Sequence, residues 1–533
     1  MYIMEGKPTM LQPIAQDTSD FPELRQKKCV YVDKTAFFHN LITRLDASRF
    51  FIARPRRFGK SLMISTLHAI FDGRRELFDG LAISKTDWDW AKYPVIYFNM
   101  GFAASSISFE SVKQEFTLMV RRAVNKAGWN YDDKESPAGN FAIAIEELSR
   151  INDDKGVVIL IDEYDDPVAQ LLDRPDEAEK VRGYLADFYR QMKDRTGKIR
   201  FLMITGVSKF TKMSVFSALS NLTDLSFDDN YATMLGYTDD ELDAYFGEHM
   251  RAHAKKMGLS DADYRAELKH WFNGYRFGKY SAKTVYNPVS IGTNLSVREP
   301  AFKPCWSSTG KAAMLMNYLK REEFLGVDMD DVTDVDESDF DVTDIRALKT
   351  VPMLFQTGYL TIKDYDPFSQ TYTLGVPDVE VRKDLASLMT SVAAGQDSSW
   401  VTTLGKKLLK MRWNEFFQGL KSLYAALPYG PKEQSVQEFS YERVLMTLLW
   451  TQAIQCTAED HQANGQADIV ATHPCGVFIF ELKVGESADA ALDQVQKKGY
   501  DAPYRAKSLP IWLIGLNFDR ETRQLTDCKA EKA

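Results

Sequence analysis

Short apolar runs alternate with longer amphipathic segments through the first half of the chain. After the first run, Leu62, Met63, Leu67, Ile70 and Phe71 recur at a period close to 3.6 and predict a helix. Buried strands that alternate with helices are typical of a parallel sheet with helices on both faces. The apolar runs are FFIA at 50–53, VIYF at 95–98, VVILI at 157–161 and FLMIT at 201–205.

The pattern changes after residue 245. Helical stretches are broken there by WFNGYRFGKY at 271–280 and VYNPVS at 285–290. An acidic tract, VDMDDVTDVDESDFDVTD at 327–344, is most simply a solvated loop or a mobile linker. The stretch MLFQTGYLTIKDYDPFSQTYTLG at 353–375 predicts a helix followed by a β-hairpin, which suits a small winged-helix element.

The last part of the chain opens with helical segments such as KKLLKMRWNEFFQGLKSLYAAL at 406–427. A helix at 441–456 and another at 488–499 are predicted next, together with strands at 467–472, 477–484 and 511–516. This pattern indicates a separate α/β domain. The predicted domains are 1–245, 246–385 and 386–533.

Composition adds limits to this picture. A chain of 533 residues has room for about three domains of ordinary size. Its 66 basic and 75 acidic residues give a net charge of -9, so contact with nucleic acid needs local basic patches or metal ions. Five scattered cysteines without a CxxC pair argue against a disulfide framework or a structural zinc site. With no apolar run near the length of about 18 residues that spans a membrane, we expect a soluble, cytoplasmic protein.

The segment RPRRFGKS at 54–61 lies between a predicted strand and a predicted helix, where a GxxxxGK[ST] loop cradles phosphates. Lys60 would reach the outer phosphates and the Ser61 hydroxyl would ligate Mg²⁺. Arg54 stands where the first glycine belongs, and it would restrict the backbone if the turn needs a positive φ. Arg54, Arg56 and Arg57 would either add charge around the phosphates or face solvent. The predicted nucleotide-binding residues of this loop are Arg57, Phe58, Gly59, Lys60 and Ser61.

A second apolar strand ends in carboxylates about a hundred residues later. Asp162 would hold Mg²⁺ through water, and Glu163 would orient the attacking water. The alternative is a buried strand that ends in solvated acids. Thr205 lies at the end of the following strand. Its hydroxyl would either contact the γ-phosphate of ATP or form an ordinary hydrogen bond at the end of the strand.

A third set of charged residues lies in GQADIVATHPCGVFIFELKVG at 465–485. Glu481 and Lys483 share one face of a strand, and Asp468 begins the strand before it. Such carboxylates hold Mg²⁺ ions that polarise a phosphodiester, and the lysine orients the attacking hydroxide. Glu442 lies at the border of an apolar helix face, where an unpaired carboxylate is costly. The alternative is a surface ion pair near a strand edge.

Several motifs are spread along the chain: YVDKT at 31–35, RPRRFGKS at 54–61, LIDEYDDP at 160–167, TGVSKF at 205–210, NLTDLS at 221–226, WFNGYRFG, VYNPVS, and LFQTGYL at 354–360. Together these motifs resemble the bacterial AAA-ATPase-like proteins that carry a C-terminal PD-(D/E)XK nuclease domain. The resemblance spans about residues 11 to 518 and includes the arginine in place of the first glycine. It implies a P-loop (RecA/AAA-like) parallel-sheet domain, a helical and winged-helix middle region, and a C-terminal PD-(D/E)XK α/β domain.

The same resemblance assigns roles to single residues. Lys60 and Ser61 would bind nucleotide, with Asp162 and Glu163 serving Mg²⁺ and hydrolysis. The nuclease motif matches Glu442, Asp468, Glu481 and Lys483, with Ala467 in place of its proline. The helix ALDQVQKKGYDAPY is similar to the family's glutamine-and-tyrosine helix, which makes Gln494 and Tyr500 site residues, although Gln496 also lies four residues before Tyr500.

These patterns predict an ATP- and Mg²⁺-binding ATPase that controls a Mg²⁺-dependent nuclease, with DNA as its partner and a role in defence against foreign DNA by analogy. The alternative is a nucleotide-gated protein that grips nucleic acid or a partner through a catalytically silent nuclease fold. Self-association into a homo-oligomer is compatible with either function.

Overall fold

The computed structural model describes residues 11–16, 18–101, 108–209, 222–305, 332–340, 349–395, 397–426, 434–462 and 465–533. The described residues separate into two compact units. The first contains those up to Cys305 together with those from 332 to Asp378, and the second contains those from Val379 to Ala533. The division into three domains stays a prediction.

The first unit is built on a five-stranded parallel sheet in the order β2-β3-β4-β1-β5. The parallel sheet predicted from the four apolar runs is confirmed. β3 is buried along its whole length, as expected of a central parallel strand. The fifth strand has two residues and no apolar run, so the pattern did not indicate it. The strands are β1 Arg49–Ala53, β2 Val95–Asn99, β3 Val157–Asp162, β4 Ile199–Gly206 and β5 Thr223–Asp224.

Helices and 3₁₀ turns connect these strands and continue beyond them. The described helices of the first unit are α1 Phe21–Gln26, α2 Thr35–Thr43, α3 Lys60–Phe71, α4 Phe109–Lys126, α5 Pro137–Ile151, α6 Asp166–Ala169, α7 Pro175–Arg190, α8 Asp239–Met257, α9 Asp261–Phe272, α10 Pro288–Ser296 and α11 Thr350–Thr357. The 3₁₀ turns cover Arg75–Phe78, Ala82–Lys85, Thr196–Lys198, Asp229–Tyr231 and Glu337–Phe340.

Two small antiparallel sheets complete the first unit. β6 (Asn273–Tyr275) pairs with β7 (Val285–Tyr286), and a three-stranded sheet has the order β8-β10-β9. The helix followed by a hairpin is confirmed, because α11 precedes β9 (Thr361–Asp366) and β10 (Thr371–Gly375).

The expectation of a loop or linker in the acidic tract is wrong for its described part. Residues Val332–Asp336 form β8, which pairs with β10. Val335 and Phe340 are buried, so apolar residues hidden among the acids decide the local structure. Residues 327–331 and 341–344 lie outside the described residues.

The second unit has a mixed five-stranded sheet in the order β11-β12-β13-β14-β15, in which only β13 and β14 are parallel among the described pairs. The predicted helix at 441–456 ends earlier, at Trp450, because residues Gln455–Gln462 pair with β12. The strands are β11 Gln455–Gln462, β12 Gly465–His473, β13 Gly476–Val484, β14 Ile511–Phe518 and β15 Leu525–Lys532. The helices are α12 Val379–Ala394, α13 Ser398–Leu409, α14 Trp413–Ala426, α15 Gln434–Trp450 and α16 Ala488–Lys498, and a 3₁₀ turn covers Ala502–Lys507.

The sheet of the second unit has an apolar core on each face. Phe478, Phe480 and Leu482 belong to one core, whereas Val477 and Ile479 belong to the other. The predicted alternation of β13 is therefore confirmed. Over the described part of the chain, no helix has both the length and the hydropathy needed to cross a bilayer.

Candidate nucleotide site and candidate nuclease site

The phosphate loop runs from the end of β1 to the start of α3. Gly59 is the N-cap residue of α3 and has a φ of 89°, and Arg57 has a φ of 67°. Arg54 is not among the residues with positive φ. The conformation that favours glycine is therefore adopted at Gly59 and Arg57 and not at Arg54, the position of the first glycine in the general pattern.

Lys60 points back into this loop from the first turn of α3. Its Nζ donates hydrogen bonds to the carbonyl oxygens of Arg54 at 2.9 Å and Pro55 at 2.8 Å. Burial lowers the pKa of Lys60 to about 8, against the opposing charges of Asp162 and nearby acids. The loop thus holds a buried ammonium group where the outer phosphates of a nucleotide would lie.

Asp162, the last residue of β3, is fully buried beside this lysine. Its Oδ1 accepts a hydrogen bond from Glu163 N at 3.0 Å, whereas its Oδ2 is buried and has no hydrogen-bond partner within the described chain. Burial raises the pKa of Asp162, and the nearby Ser61 hydroxyl and the charge of Lys60 oppose that shift. A buried carboxylate oxygen next to a hydroxyl is a donor set that suits Mg²⁺.

Glu163 follows with a left-handed backbone, at a φ of 53°. Burial, with the negative charges of Asp166 and Asp162, raises the pKa of its carboxyl group. Gly101 leaves the space that this carboxylate occupies, because a Cβ at residue 101 would collide with Glu163 Oε2. A conformation of this kind in a non-glycine residue is strained and is common at functional sites.

Thr205 lies near the end of β4, between the strands that carry Asp162 and the phosphate loop. Its hydroxyl is buried and has no hydrogen-bond partner within the described residues. This observation does not fit the alternative in which the Thr205 hydroxyl forms an ordinary hydrogen bond at the end of the strand. A role towards phosphate stays a prediction.

Asn99 is a residue of this site that the pattern did not indicate. It ends β2 in register with Asp162, and its Oδ1 accepts a hydrogen bond from Gly101 N at 2.9 Å. It therefore shapes the turn beside the carboxylate of Glu163. A polar residue at the end of the run VIYF was the available signal, because the carboxyl ends of parallel strands share one sheet edge.

The three arginines of the loop have different surroundings. Arg54 is buried and does not face solvent, and its guanidinium group donates to the carbonyl oxygens of Ala53 and Ser226. Arg56 forms an ion pair with Asp166 at 3.3 Å, and Arg57 Nη1 donates to the carbonyl oxygen of Cys305 at 2.6 Å. The other loop residue assigned to nucleotide, Phe58, is also buried.

The second cluster lies near the ends of β12 and β13. The antiparallel pairing of these strands runs as far as Ile469 and Phe480, and Asp468 and Glu481 are the next residue on each strand. Glu481 Oε1 lies 3.2 Å from Lys483 Nζ, and Asp468 Oδ2 accepts a hydrogen bond from Leu482 N at 2.7 Å. The structure thus brings together three of the residues assigned to the nuclease site.

Glu481 is an unusual carboxylate because only 1% of its side chain is exposed. Its Oε2 is buried and has no hydrogen-bond partner among the residues described. Burial and the charge of Asp468 raise the pKa of Glu481 to about 7, although Lys483 opposes the shift. Two facing acids with a buried, unsatisfied oxygen fit a divalent cation and are unfavourable without one.

α16 packs on the face of the sheet to which Glu481 belongs, since Leu492 and Val495 share the core of Ile479. Within this helix Gln494 is half-buried, whereas Gln496 is exposed and donates to Glu531 at 3.4 Å. The choice of Gln494 over Gln496 is therefore compatible with the structure.

Tyr500 is buried just beyond the same helix. Its hydroxyl oxygen accepts a hydrogen bond from Gln466 N at 3.1 Å, two residues before Asp468. Gly465 leaves room for that hydroxyl, because a Cβ there would lie 2.7 Å from it. Tyr500 therefore positions the start of β12, the strand that carries Asp468.

Glu442 has a different environment. Its helix, α15, packs through Leu445 and Leu449 on the opposite face of the sheet from Glu481. Together with burial, which is the larger cause, its charge helps to raise the pKa of Tyr424. Within the described residues, no three His, Cys, Asp or Glu side chains form a group that could hold a metal ion. The assignment of Glu442 as a metal ligand stays a prediction.

Comparisons with known proteins agree with the two expected domain families. A model of the family described as predicted AAA-ATPase matches residues 15–216, and a model of the PD-(D/E)XK nuclease superfamily matches residues 436–528. The chain is 32% identical over 511 residues to the uncharacterized protein in vnfD 5'region of Azotobacter chroococcum mcd 1, with 93% of this chain and 94% of that protein covered. No solved structure matches.

Proposed function

Because the chain belongs to the family of AAA-ATPase-like proteins with a C-terminal PD-(D/E)XK nuclease superfamily domain, we propose that it binds and hydrolyses ATP to control a Mg²⁺-dependent nuclease. DNA is the substrate in this proposal. The observation that carries it is that each unit has a buried carboxylate oxygen without a hydrogen-bond partner within the described chain, on a residue whose charge interacts with a lysine.

In the first unit, Lys60 would release its loop carbonyls and bind the outer phosphates. Ser61 and Asp162 would hold Mg²⁺, which neutralises phosphate charge when it is bound. Glu163 would accept a hydrogen bond from the attacking water and align it with the γ-phosphate, and Thr205 would donate its hydroxyl to a phosphate oxygen.

Equilibrium binding of ATP to purified protein tests this half. Lys60→Ala should abolish binding, whereas Lys198→Ala, which removes an exposed ion pair with Asp154, should bind normally. Glu163→Gln should keep ATP affinity and lose phosphate release, because it alters the group that orients water. Normal affinity in Lys60→Ala would remove the phosphate-loop assignment.

In the second unit, Asp468 and Glu481 would hold Mg²⁺, which polarises the scissile phosphodiester when it is bound. Lys483, 3.2 Å from Glu481, would orient the attacking hydroxide and stabilise the charge that develops on the phosphate. Gln494 and Tyr500 would support this geometry, with Tyr500 acting through the backbone of β12.

Plasmid cleavage with Mg²⁺ or Mn²⁺ tests the nuclease half. Lys483→Ala should lose metal-dependent cutting, and Lys497→Ala, an exposed lysine near the end of α16, should retain it. Cutting by Lys483→Ala at the wild-type rate would exclude this site as the nuclease centre.

A second candidate function is nucleotide-gated binding of nucleic acid without cleavage. The observation that favours it is that Asp468 Oδ2 accepts a hydrogen bond from Leu482 N and Glu481 Oε1 pairs with Lys483, so one oxygen of each carboxylate is already engaged within the chain. It predicts tight DNA binding with no cutting at any divalent metal. Addition of ATP would then change the affinity for DNA and not a cleavage rate.

The biological role proposed here is defence against foreign DNA in the cytoplasm, by analogy with the two-domain layout. Cells that express the wild-type chain should restrict plasmid transformation or phage growth, and Lys483→Ala cells should not. If cells with the wild-type chain and cells with Lys483→Ala restrict plasmids or phage equally, any defence depends on a property of the chain other than Lys483.

A further inference from the structure

Arg54, at the position of the first glycine of a phosphate loop, has a buried guanidinium group with several partners. Nη1 donates to the carbonyl oxygens of Ala53 at 2.9 Å and Ser226 at 2.8 Å. The guanidinium carbon lies 4.1 Å from the centre of the Phe277 ring. Burial lowers the pKa of Arg54 to about 9, partly offset by the charge of Asp224. Such a group is retained only when its surroundings fix it closely.

Phe58, four residues further along the loop, packs against the same ring. The Phe58 and Phe277 rings meet edge to face with their centres 5.2 Å apart, and Phe58 also meets Tyr275 at 4.7 Å. Phe277 therefore contacts two side chains of the phosphate loop, that of its first residue and that of Phe58. We call Arg54, Phe58 and Phe277 the loop clamp.

The ring of the clamp is itself held by the rest of its segment. The Tyr275 hydroxyl donates to the carbonyl oxygen of Gly358 at 2.9 Å, and Arg276 N donates to Thr361 Oγ1 at 2.8 Å. The segment that follows α9 thus connects the phosphate loop with α11 and β9. All of these contacts lie within the first unit.

The backbone of Arg54 is fixed in addition to its side chain. Its N–H donates to the carbonyl oxygen of Gly206 at 3.1 Å, and its own carbonyl oxygen accepts from Lys60 Nζ at 2.9 Å. The backbone hydrogen bond and the guanidinium contacts therefore both act on the residue whose carbonyl holds Lys60. A displacement near 1 Å of a phosphate-binding group is enough to weaken binding and catalysis.

We propose that Arg54 is a positioning residue of the nucleotide site, and that the loop clamp sets the shape of the phosphate loop in place of the missing glycine. This inference rests on the proposed binding of ATP. Arg54 acts through Lys60 and the loop backbone and does not touch the nucleotide.

The decisive variant is Arg54→Gly, because it restores the glycine of the general phosphate-loop pattern. If arginine were merely tolerated, this variant would bind MgATP as well as the wild type or better. If the loop clamp shapes the site, its affinity should fall about tenfold or more, as expected from the loss of buried hydrogen bonds to a charged group. Affinity within about twofold of the wild type would overturn the inference.

Phe277 gives an independent route if Arg54→Gly does not fold. Phe277→Leu keeps an apolar side chain but removes the ring, and it should lose MgATP affinity, whereas Phe277→Tyr keeps the ring and should retain it. The double variant Arg54→Gly with Phe277→Leu should bind MgATP no more weakly than the poorer of the two single variants, because both substitutions disrupt the same loop clamp. Normal affinity in folded Phe277→Leu would also overturn the inference.

Arg200→Ala separates positioning from general stability. Arg200 lies at the opposite end of the same sheet, donates to the carbonyl oxygen of Ile42 at 3.1 Å, and stacks over Tyr93 at 6.0 Å. The Arg200→Ala variant should have a lower melting temperature than the wild type, and the MgATP affinity of its folded form should be unchanged. Failure of the wild type itself to bind MgATP would refute the proposed function, whereas normal binding by Arg54→Gly would refute only the loop clamp.

Discussion

Glu481→Gln should stabilise the metal-free protein at alkaline pH, because the wild-type carboxylate is buried with an oxygen that no described residue satisfies. The pKa of Glu481 rises from 4.5 to about 7 on folding, mainly through burial. At about 1.36 kcal/mol per pKa unit, the ionised carboxylate costs about 3 kcal/mol of unfolding free energy once the pH exceeds both values.

The sign of the pH dependence follows from proton binding. Between pH 4.5 and about 7 the folded carboxyl group holds a proton that the unfolded chain releases, so wild-type stability falls as the pH rises through this window. The glutamine variant has no such proton. Its advantage over the wild type should be under about 1 kcal/mol at pH 5 and about 3 kcal/mol at pH 8.

Hydrogen exchange of the amides of β13, measured in EDTA at several pH values, reports the opening of this strand separately from the first unit. Glu486→Gln is the matched control, because Glu486 is exposed and lies beyond the end of β13. If the difference in unfolding free energy between Glu481→Gln and the wild type is the same at pH 5 and pH 8, Glu481 is not a buried carboxylate that ionises in this range. Saturating Mg²⁺ should remove this difference in stability, since the cation stabilises the carboxylate of the wild type and not the amide of the variant.

Three other predictions concern both sites. Gly101→Ala places a methyl group against Glu163 Oε2, so phosphate release should fall about tenfold or more while equilibrium binding of ATP stays normal; unchanged release would show that this carboxylate adapts. Binding of ATP should weaken above pH 8, where Lys60 loses its proton. Titration calorimetry from pH 7 to 9.5 measures this affinity. An affinity that stays constant over this range would contradict a buried lysine in the site. Tyr500→Phe removes the acceptor of Gln466 N and should cost about 1 kcal/mol in the hydrogen-exchange stability of β12; an unchanged exchange rate would show that the hydroxyl does not hold the strand.

The sequence predicted the strands that contain a continuous apolar run. β3 and β4 are examples, because a central parallel strand is buried on both faces and needs no partner information. β5, β8 and β15 were not predicted, since their residues are largely polar and partly exposed, and only pairing with a neighbour makes them strands.

The chemistry of the sites was predictable where local spacing fixes geometry. Glu481 and Lys483 share a face because side chains on a strand alternate, and Lys60 follows a turn that ends at a helix. The environment of Arg54 was not predictable, because its acceptor at Ser226 is 172 residues away. Local spacing also does not determine which face of a sheet α15 covers, so the position of Glu442 could not be deduced.

The edge-to-face packing of Phe58 on Tyr275 and Phe277 limits how the chain can be divided. A protein truncated at residue 245, where the hydrophobic pattern changes, would keep the whole phosphate loop but lose both of these rings. Phe58, now fully buried, would then face water, and the guanidinium group over Phe277 would lose its aromatic neighbour. Any recombination that transplants the part with the phosphate loop to another protein must therefore carry residues 271–278 with it.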